Sequence, residues 1–492
     1  MKKKIVVIII AVLVICAGLF VRLWGIWQGG FAFTYDAGRD LLAIRDLVTG
    51  TKFSLIGPTS GQNGIFYGPW WYWLLAAPFA ISSGDPAAIV SFIALAGVAA
   101  AGAAYIWGIK YRDGFFAAAF AGLLAVAQPL VSATTQLWSP DGIVPVMVAI
   151  IILWSRFASL SNIALLAFGF LLGLLDELEI VYGVVFMVGF FISYFVWQRK
   201  LFWSKKTLFI VAGILFTEIP RVLFELRHEL LQTKTFINFL AKGGTLVMTP
   251  ARLMARLDFL WDHVTDFLPG GDWIKILFVI GTFAIISSQW KHIAKNQRLF
   301  LYQLLTALGV FFVFMLFYGQ DVWPYYLIGL PVIIVFLLSF AVSLVKRMVP
   351  ASILATLILM LLFFTGKPVE FVTTLNNPFV GDAAVYRNQM EAMRYIYKEA
   401  GGSDFNVIAY TPPQIEYTWR YLSWWTKRGR GYGEVAEKQP LLFVIIEPDY
   451  GYPQRVREWL WARDDDGEVT KQLMFNSGII VQTRKREIDV RQ

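Results

Sequence analysis

Residues 31–73 read FAFTYDAGRDLLAIRDLVTG and then TKFSLIGPTSGQNGIFYGPWWYW, directly after the first long apolar run of the chain. The stretch therefore starts at a membrane surface. It opens with two carboxylates four residues apart, Asp36 and Asp40, with Arg39 between them. A helix beginning after Tyr35 stacks both acids on one face. Ala37, Leu41, Ile44 and Val48 then share the adjoining face, the pattern of an amphipathic helix lying in the interface. A polar, glycine-rich connection follows over 57–64, and after it come Tyr67, Gly68, Pro69 and the aromatic run Trp70, Trp71, Tyr72 and Trp73. Such rings belong at headgroup depth, half apolar and half wet. The stretch predicts acid chemistry placed at a membrane boundary.

The rest of the chain supplies the membrane. Of 492 residues 57% are hydrophobic and 16% charged, against roughly 25% charged in ordinary soluble domains. Apolar runs of about 17 to 24 residues recur through the first three quarters, each able to cross a hydrocarbon core of about 30 Å. The fold class expected is an all-α polytopic membrane protein with a small extracytoplasmic α/β domain at the C-terminus. The net charge of +9 does not call for a nucleic-acid partner, because the basic residues cluster beside apolar segments where membrane orientation explains them. Cys16, the single cysteine, excludes an internal disulfide and a cysteine-based metal site. Lys2, Lys3 and Lys4 before about twenty apolar residues read as an uncleaved signal anchor.

Eleven spans are expected, at about 5–24, 86–108, 114–131, 140–157, 161–176, 179–197, 207–223, 272–289, 299–318, 324–345 and 350–365. Basic residues gather on one side of them: Lys2 to Lys4, Lys110, Arg112, Arg156, Arg199, Lys200, Lys205, Lys206, Lys291, Lys295, Arg298, Lys346 and Arg347. The short loops 132–139, 176–179 and 319–323 on the other side hold no Lys or Arg. The positive-inside rule then puts the N-terminus in the cytoplasm and the C-terminus outside. Residues 1–365 form the membrane domain, with a first outer loop at 25–85 and a second at 224–271. Residues 366–492 change to soluble composition, with a helix expected near 382–399 and strands at 405–410, 441–447 and 478–483. No internal repeat of the kind that builds many transporters is evident.

An early Asp in the first outer loop, an interfacial helix, a Gly-Pro-aromatic return into the membrane and many spans resemble the GT-C class of glycosyltransferases. The resemblance is nearest to the protein O-mannosyltransferase and lipid A aminoarabinose transferase group, and covers about residues 1–350. Gln136-Leu137-Trp138-Ser139-Pro140-Asp141, Phe224-Glu225-Leu226-Arg227-His228 and Trp323-Pro324-Tyr325-Tyr326 add to it. The resemblance implies a sugar moved from a polyprenyl-phosphate carrier to a hydroxyl of an envelope lipid, glycan or protein on the outer face, with inversion. It implies Asp36 as general base. The group usually carries Asp-Glu there, whereas this chain has Asp36-Ala37 and its second carboxylate at Asp40.

Inverting transfer needs a base that is ionised and within hydrogen-bond reach of the acceptor hydroxyl. A carboxylate beside Arg39 in a partly dry cleft stays ionised, because the cation opposes desolvation. The plain alternative is that Asp36 caps the helix and Asp40 pairs with Arg39 or Arg45. The leaving phosphate calls for a cation near the outer face, and Arg221, Arg227 and His228 end the seventh span there. Against this, Arg221 stands at pairing distance from Glu218 and Glu225 along one helix. Asp176, Glu177 and Glu179 crowd a short turn, either as a solvated turn or as ligands of a divalent cation. The sequence calls for no cofactor beyond that candidate divalent cation. Gln136 and Tyr325 are placed to line the sugar site, with Tyr67 at the lipid-donor entrance, though belt aromatics account for Tyr325 equally. Tyr417, Trp419, Tyr421, Trp424 and Trp425 fit either a ligand surface or packing onto the spans. The rival class is a transporter or flippase of polyprenyl-linked substrates without chemistry, and a third is a catalytically dead sensor.

Overall fold

A computed structural model describes residues 2–61, 64–242, 248–346, 348–368, 382–412, 415–430 and 438–487. Its helices start where the sequence supplies free acceptors. Asp85 accepts the amides of Ala87 and Ala88 at 2.8 and 3.4 Å, and Asp113 those of Phe115 and Phe116 at 3.0 Å. Each satisfies donors that a helix start leaves unpaired, and Pro86 fits the first turn because its missing N–H has no partner there anyway.

The helices of the membrane body are, in order, α1 (Lys2–Trp27), α2 (Tyr35–Val48), α3 (Trp70–Ser82), α4 (Pro86–Tyr111), α5 (Gly114–Val126), α6 (Gln128–Ser132), α7 (Ile143–Trp154), α8 (Asn162–Leu178) and α9 (Ile180–Trp197). They continue with α10 (Arg199–Phe202), α11 (Lys205–Arg227), α12 (Leu231–Lys242), α13 (Pro250–Thr265), α14 (Asp272–Ser288), α15 (Lys295–Phe317), α16 (Leu330–Val345) and α17 (Ala351–Gly366). All eleven expected spans coincide with helices. α2 is also helical as expected, but its Ala37, Leu41 and Ile44 are buried within the protein, so most of the apolar face assigned to the membrane interface is covered by the chain itself. Among the described residues, six helical segments are long and apolar enough to cross a membrane, and further apolar helices are shorter. The core between them is largely aromatic: Trp154 packs edge-on against Phe186, Phe190 and Phe300 with centroids 5.1 to 6.1 Å apart.

The two ends of the body differ. At one end Lys346 pairs with Asp113 at 2.6 Å, Arg112 donates to Ser343 at 3.1 Å and Lys206 to the carbonyl of Ala158 at 3.0 Å. The opposite end carries α2, the 49–69 loop, α12, α13 and the C-terminal unit.

That unit is a four-stranded sheet of β1 (Phe405–Tyr410), β2 (Leu441–Ile446), β3 (Glu468–Met474) and β4 (Ile480–Lys485), in the order β1-β2-β4-β3. β1 and β2 are parallel, and the other pairs antiparallel. Its helices are α18 (Tyr386–Ala400), α19 (Tyr417–Arg430) and α20 (Pro453–Trp461). The three expected strands and the first helix are present. β3 is an additional edge strand, exposed along its whole length, so its sequence shows no alternation of buried and exposed residues. The unit is stitched to the segment entering α2: Phe33 donates to the carbonyl of Ala384 at 2.7 Å, Tyr386 to Phe31 at 3.0 Å and Arg387 to Gly29 at 3.0 Å.

Candidate active site

α2 carries the first group of site residues. Thr34 occupies its N-cap and Asp36 its first turn, so Asp36 is not the cap. The Asp36 side chain is 37% exposed and accepts from Arg39 at 2.8 Å. Arg39 turns its other edge to Asp40, donating from Nε at 2.9 Å and Nη2 at 2.8 Å. Asp40 itself is fully buried. It also accepts from Trp71 Nε1 at 3.0 Å and from the Tyr72 hydroxyl at 3.3 Å. Burial pushes the Asp40 carboxyl up to about 6, even though the adjacent guanidinium pulls the other way. The two acids that look equivalent in sequence are thus divided by environment. Asp36 faces outward, and Asp40 anchors the arginine that holds it.

The second group lies where α8, α9 and α11 meet. Arg221 is held by Asp176 and Glu218, with Glu177 at 3.5 Å. Glu179 starts α9, accepting the amide of Val181 at 3.3 Å, and takes the Tyr67 hydroxyl on its other oxygen at 2.7 Å. Glu177 is buried and lies under Gly68. Asp176, Glu177 and Glu179 therefore do not converge as one ligand set, and among the described residues no group of three or more His, Cys, Asp or Glu is arranged to hold a metal ion.

The segment from Tyr67 to Tyr72 joins the two groups. Tyr67 and Gly68 address the acids of α8 and α9, Trp70 donates to the carbonyl of Thr217 on α11 at 2.9 Å, and Trp71 and Tyr72 hold Asp40. Tyr325 completes the arrangement. Its ring meets Trp138 edge-on at 5.0 Å, and its phenol is within electrostatic reach of both Asp36 and Glu179. Gln136 is half-buried two residues before Trp138.

The remaining cations differ in availability. Arg227 is exposed at the end of α11, and among the described residues no carboxylate pairs with it. His228 stacks on Phe224 with centroids 4.0 Å apart, its Nδ1 2.9 Å from that residue's carbonyl oxygen. Phe224 in turn meets Phe66 edge-on at 5.8 Å, and Gln232 accepts the Phe66 amide at 2.8 Å. The end of α11 thus lies beside the loop that carries Tyr67. Of the aromatic cluster in the C-terminal unit, Trp419 and Tyr421 are buried by packing, whereas Tyr417, Trp424 and Trp425 are half-buried.

Three features carry no functional signal in the sequence. Arg22, a lone charge inside an apolar run, is buried and bonded to Thr134 and the end of α5. Arg256 caps the end of α15, donating to the carbonyls of Met315 and Gln320 at 2.8 and 2.9 Å. A cavity of about 530 Å³ opens between α13, α14, α15 and α16, lined by Leu260, Val264, Phe283, Phe312, Leu316 and Leu337.

A helical membrane body, a helix (α2) in its first long loop and a C-terminal α/β unit seated on that loop make the fold GT-C-like. It is shared with ArnT from Cupriavidus metallidurans bound to undecaprenyl phosphate, which aligns over 98% of each chain at 13% identity with a TM-score of 0.53. The apo form of that protein aligns over the same share with a TM-score of 0.52. An Archaeoglobus fulgidus oligosaccharyltransferase tethered with an acceptor peptide aligns over 78% of this chain and 55% of its own, at 13% identity and a TM-score of 0.43. No protein-family model matches the chain, and no curated protein matches it in sequence.

Proposed function

We propose that this protein is an integral membrane glycosyltransferase that moves a sugar from a polyprenyl-phosphate-linked donor to a hydroxyl of an envelope lipid, glycan or protein. The observation that carries the reading is Asp36 itself: an accessible carboxylate at the loop-bearing end of a GT-C-like body, clamped by an arginine that a buried second acid holds in place. The basic residues gathered at the far end support, by the positive-inside rule, a cytoplasmic position for that end and an outward-facing active site.

In the proposed step the acceptor oxygen attacks the anomeric carbon as its proton passes to Asp36. The bond from that carbon to the phosphate oxygen breaks, the polyprenyl phosphate leaves with the electron pair, and the configuration inverts. Arg39 orients Asp36, and Asp40 fixes Arg39. Arg227, exposed beside the Phe66–Tyr67 loop, receives the leaving phosphate. Arg221 is the weaker choice because Asp176 and Glu218 already occupy it. The apolar cavity beside α13 suits a lipid chain, and ArnT, whose fold this chain shares, binds undecaprenyl phosphate.

The test is transfer of radiolabelled sugar from polyprenyl-phosphate donors to crude envelope extract, comparing wild type with Asp36→Asn. A loss of about a hundredfold or more supports the base. Equal rates would remove Asp36 from that role, and transport of the labelled lipid without transfer would favour a flippase.

A further inference from the structure

α2 is gripped from two sides. On one, Trp71 and Tyr72 of the membrane body hold Asp40. On the other, the C-terminal unit lies against it at Gly38, between Asp36 and Arg39. A Cβ built on Gly38 falls 2.5 Å from the Thr418 nitrogen, 2.6 Å from the Tyr417 carbonyl carbon and 2.7 Å from the Thr418 Cα. These are backbone atoms of the first turn of α19, which no rotamer change can move aside. Only glycine permits so close an approach.

The contact is supported along its length. The rings of Tyr35 and Tyr417 meet edge-on at 5.0 Å and the guanidinium of Arg45 lies 5.4 Å from the Trp424 ring, while the Tyr421 hydroxyl ties α19 to the membrane body at the carbonyl of Gly84, between α3 and α4. α19 is fixed to its own sheet by Trp419, which donates to Glu447 at 2.8 Å. Gln389 donates to the carbonyl of Phe33 at 3.0 Å, just before α2 begins. The C-terminal unit therefore holds both the approach to α2 and the turn of α2 that presents Asp36.

We infer that Gly38 and the first turn of α19 are positioning elements, so that seating of the C-terminal unit on α2 sets where Asp36 points. The inference rests on the glycosyltransferase reading. It gives the C-terminal unit a part in the chemistry without placing any of its residues on the substrate. A misplacement of about 1 Å at a reacting group can cost about a hundredfold in rate, and an added methyl at Gly38 must shift α2 or α19 by that order.

The experiment compares full-length wild type, Gly38→Ala, Tyr417→Ala and Tyr417→Phe in lipid nanodiscs. Transfer kinetics are followed against pH, and amide hydrogen exchange over residues 35–48. Gly38→Ala is expected to lower kcat at least tenfold with the KM for the polyprenyl-phosphate donor within twofold. It should also move the midpoint of the pH–rate curve, because Asp36 shifts against Arg39. A merely destabilised protein would lose height on that curve without moving its midpoint, and that result overturns the inference. So does a folded Gly38→Ala with kcat within twofold of wild type. If Gly38→Ala does not fold, Tyr417 decides: a midpoint moved by Ala and restored by Phe supports the inference, and an unmoved one overturns it. If wild type transfers no sugar, the functional reading fails separately. Exchange then tests the seating alone, with faster exchange across α2 in Gly38→Ala or Tyr417→Ala supporting it and unchanged exchange overturning it.

Discussion

The carboxylate of Glu177 fills the space in which Gly68 would carry a side chain: a Cβ built on Gly68 falls 1.4 Å from Oε2 and 1.9 Å from the carboxyl carbon. The loop entering α3 is thereby pressed onto the acids of α8. Gly68→Ala must push the two apart, and overpacking of this kind costs typically 1–3 kcal/mol. Glu177→Ala opens the space, leaving Arg221 with Asp176 and Glu218. Thermal unfolding of wild type, both single variants and the double variant should show the double to be less destabilised than the sum of the singles. Strict additivity would mean that the two residues do not press on each other.

Asp40 links stability and activity to pH in opposite directions. Its carboxyl is raised from 3.8 to about 6 by burial, so folding favours the protonated form. That contribution is fully present below pH 3.8 and is lost as pH rises through about 6, an effect of about 3 kcal/mol. Activity runs the other way. Protonated Asp40 loosens its hold on Arg39, which then neutralises Asp36 more closely, so transfer should fall below about pH 6. Asp40→Asn should remove this part of the stability slope and lower transfer at all pH values. Paired pH series of unfolding temperature and of kcat/KM check both, and parallel slopes would refute the link.

Arg221 and Arg227 should separate cleanly. Arg221→Ala leaves Asp176, Glu177 and Glu218 without their shared cation at a mostly buried position, and breaking such a network costs roughly 3–5 kcal/mol. Arg227→Ala touches an exposed side chain and should change stability by less than about 0.5 kcal/mol. It should instead raise the donor KM about tenfold, the equivalent of about 1.4 kcal/mol. Unfolding midpoints and donor titrations on the two proteins decide the assignment, and the opposite pattern would make Arg221 the phosphate ligand.

How much of this was legible beforehand follows from the range of each interaction. Spans, α2 and three of the four strands rest on local periodicity, which a sequence carries openly. The placing of Asp36 and Asp40 on one helix with Arg39 was equally local. Their division into an accessible and a buried acid was not, because it depends on Trp71 and Tyr72 arriving from over thirty residues away. The same holds for Tyr67 with Glu179, 112 positions apart, and for Gly38 with Thr418. Tyr67, Trp71, Tyr72 and Glu179 are visible in the sequence as aromatics or an acid, but nothing in the chain names their partners, and Gly38 and Thr418 carry no local signal at all. β3 is illegible for a different reason: an edge strand exposed on both faces has no pattern to read.

Arg22 offers the sharpest test of the membrane body. α5 stops at Val126 and α6 restarts at Gln128, with Pro129 unable to donate to the carbonyl of Ala125. Arg22 supplies what the break leaves unpaired, donating to Ala125 O at 2.5 Å and Leu124 O at 3.0 Å while Nε reaches Thr134 Oγ1 at 2.8 Å. Arg22→Met keeps most of the apolar stem and removes the donors. Each carbonyl left unpaired costs roughly 1–3 kcal/mol, so two should lower the unfolding temperature of the full chain markedly. Arg22→Lys should recover little, since an ammonium cannot span three acceptors with the planar fork of a guanidinium. Thermal unfolding of the three proteins in one detergent provides the measurement. A stable Arg22→Met protein would mean that water or a neighbouring hydroxyl closes the break instead.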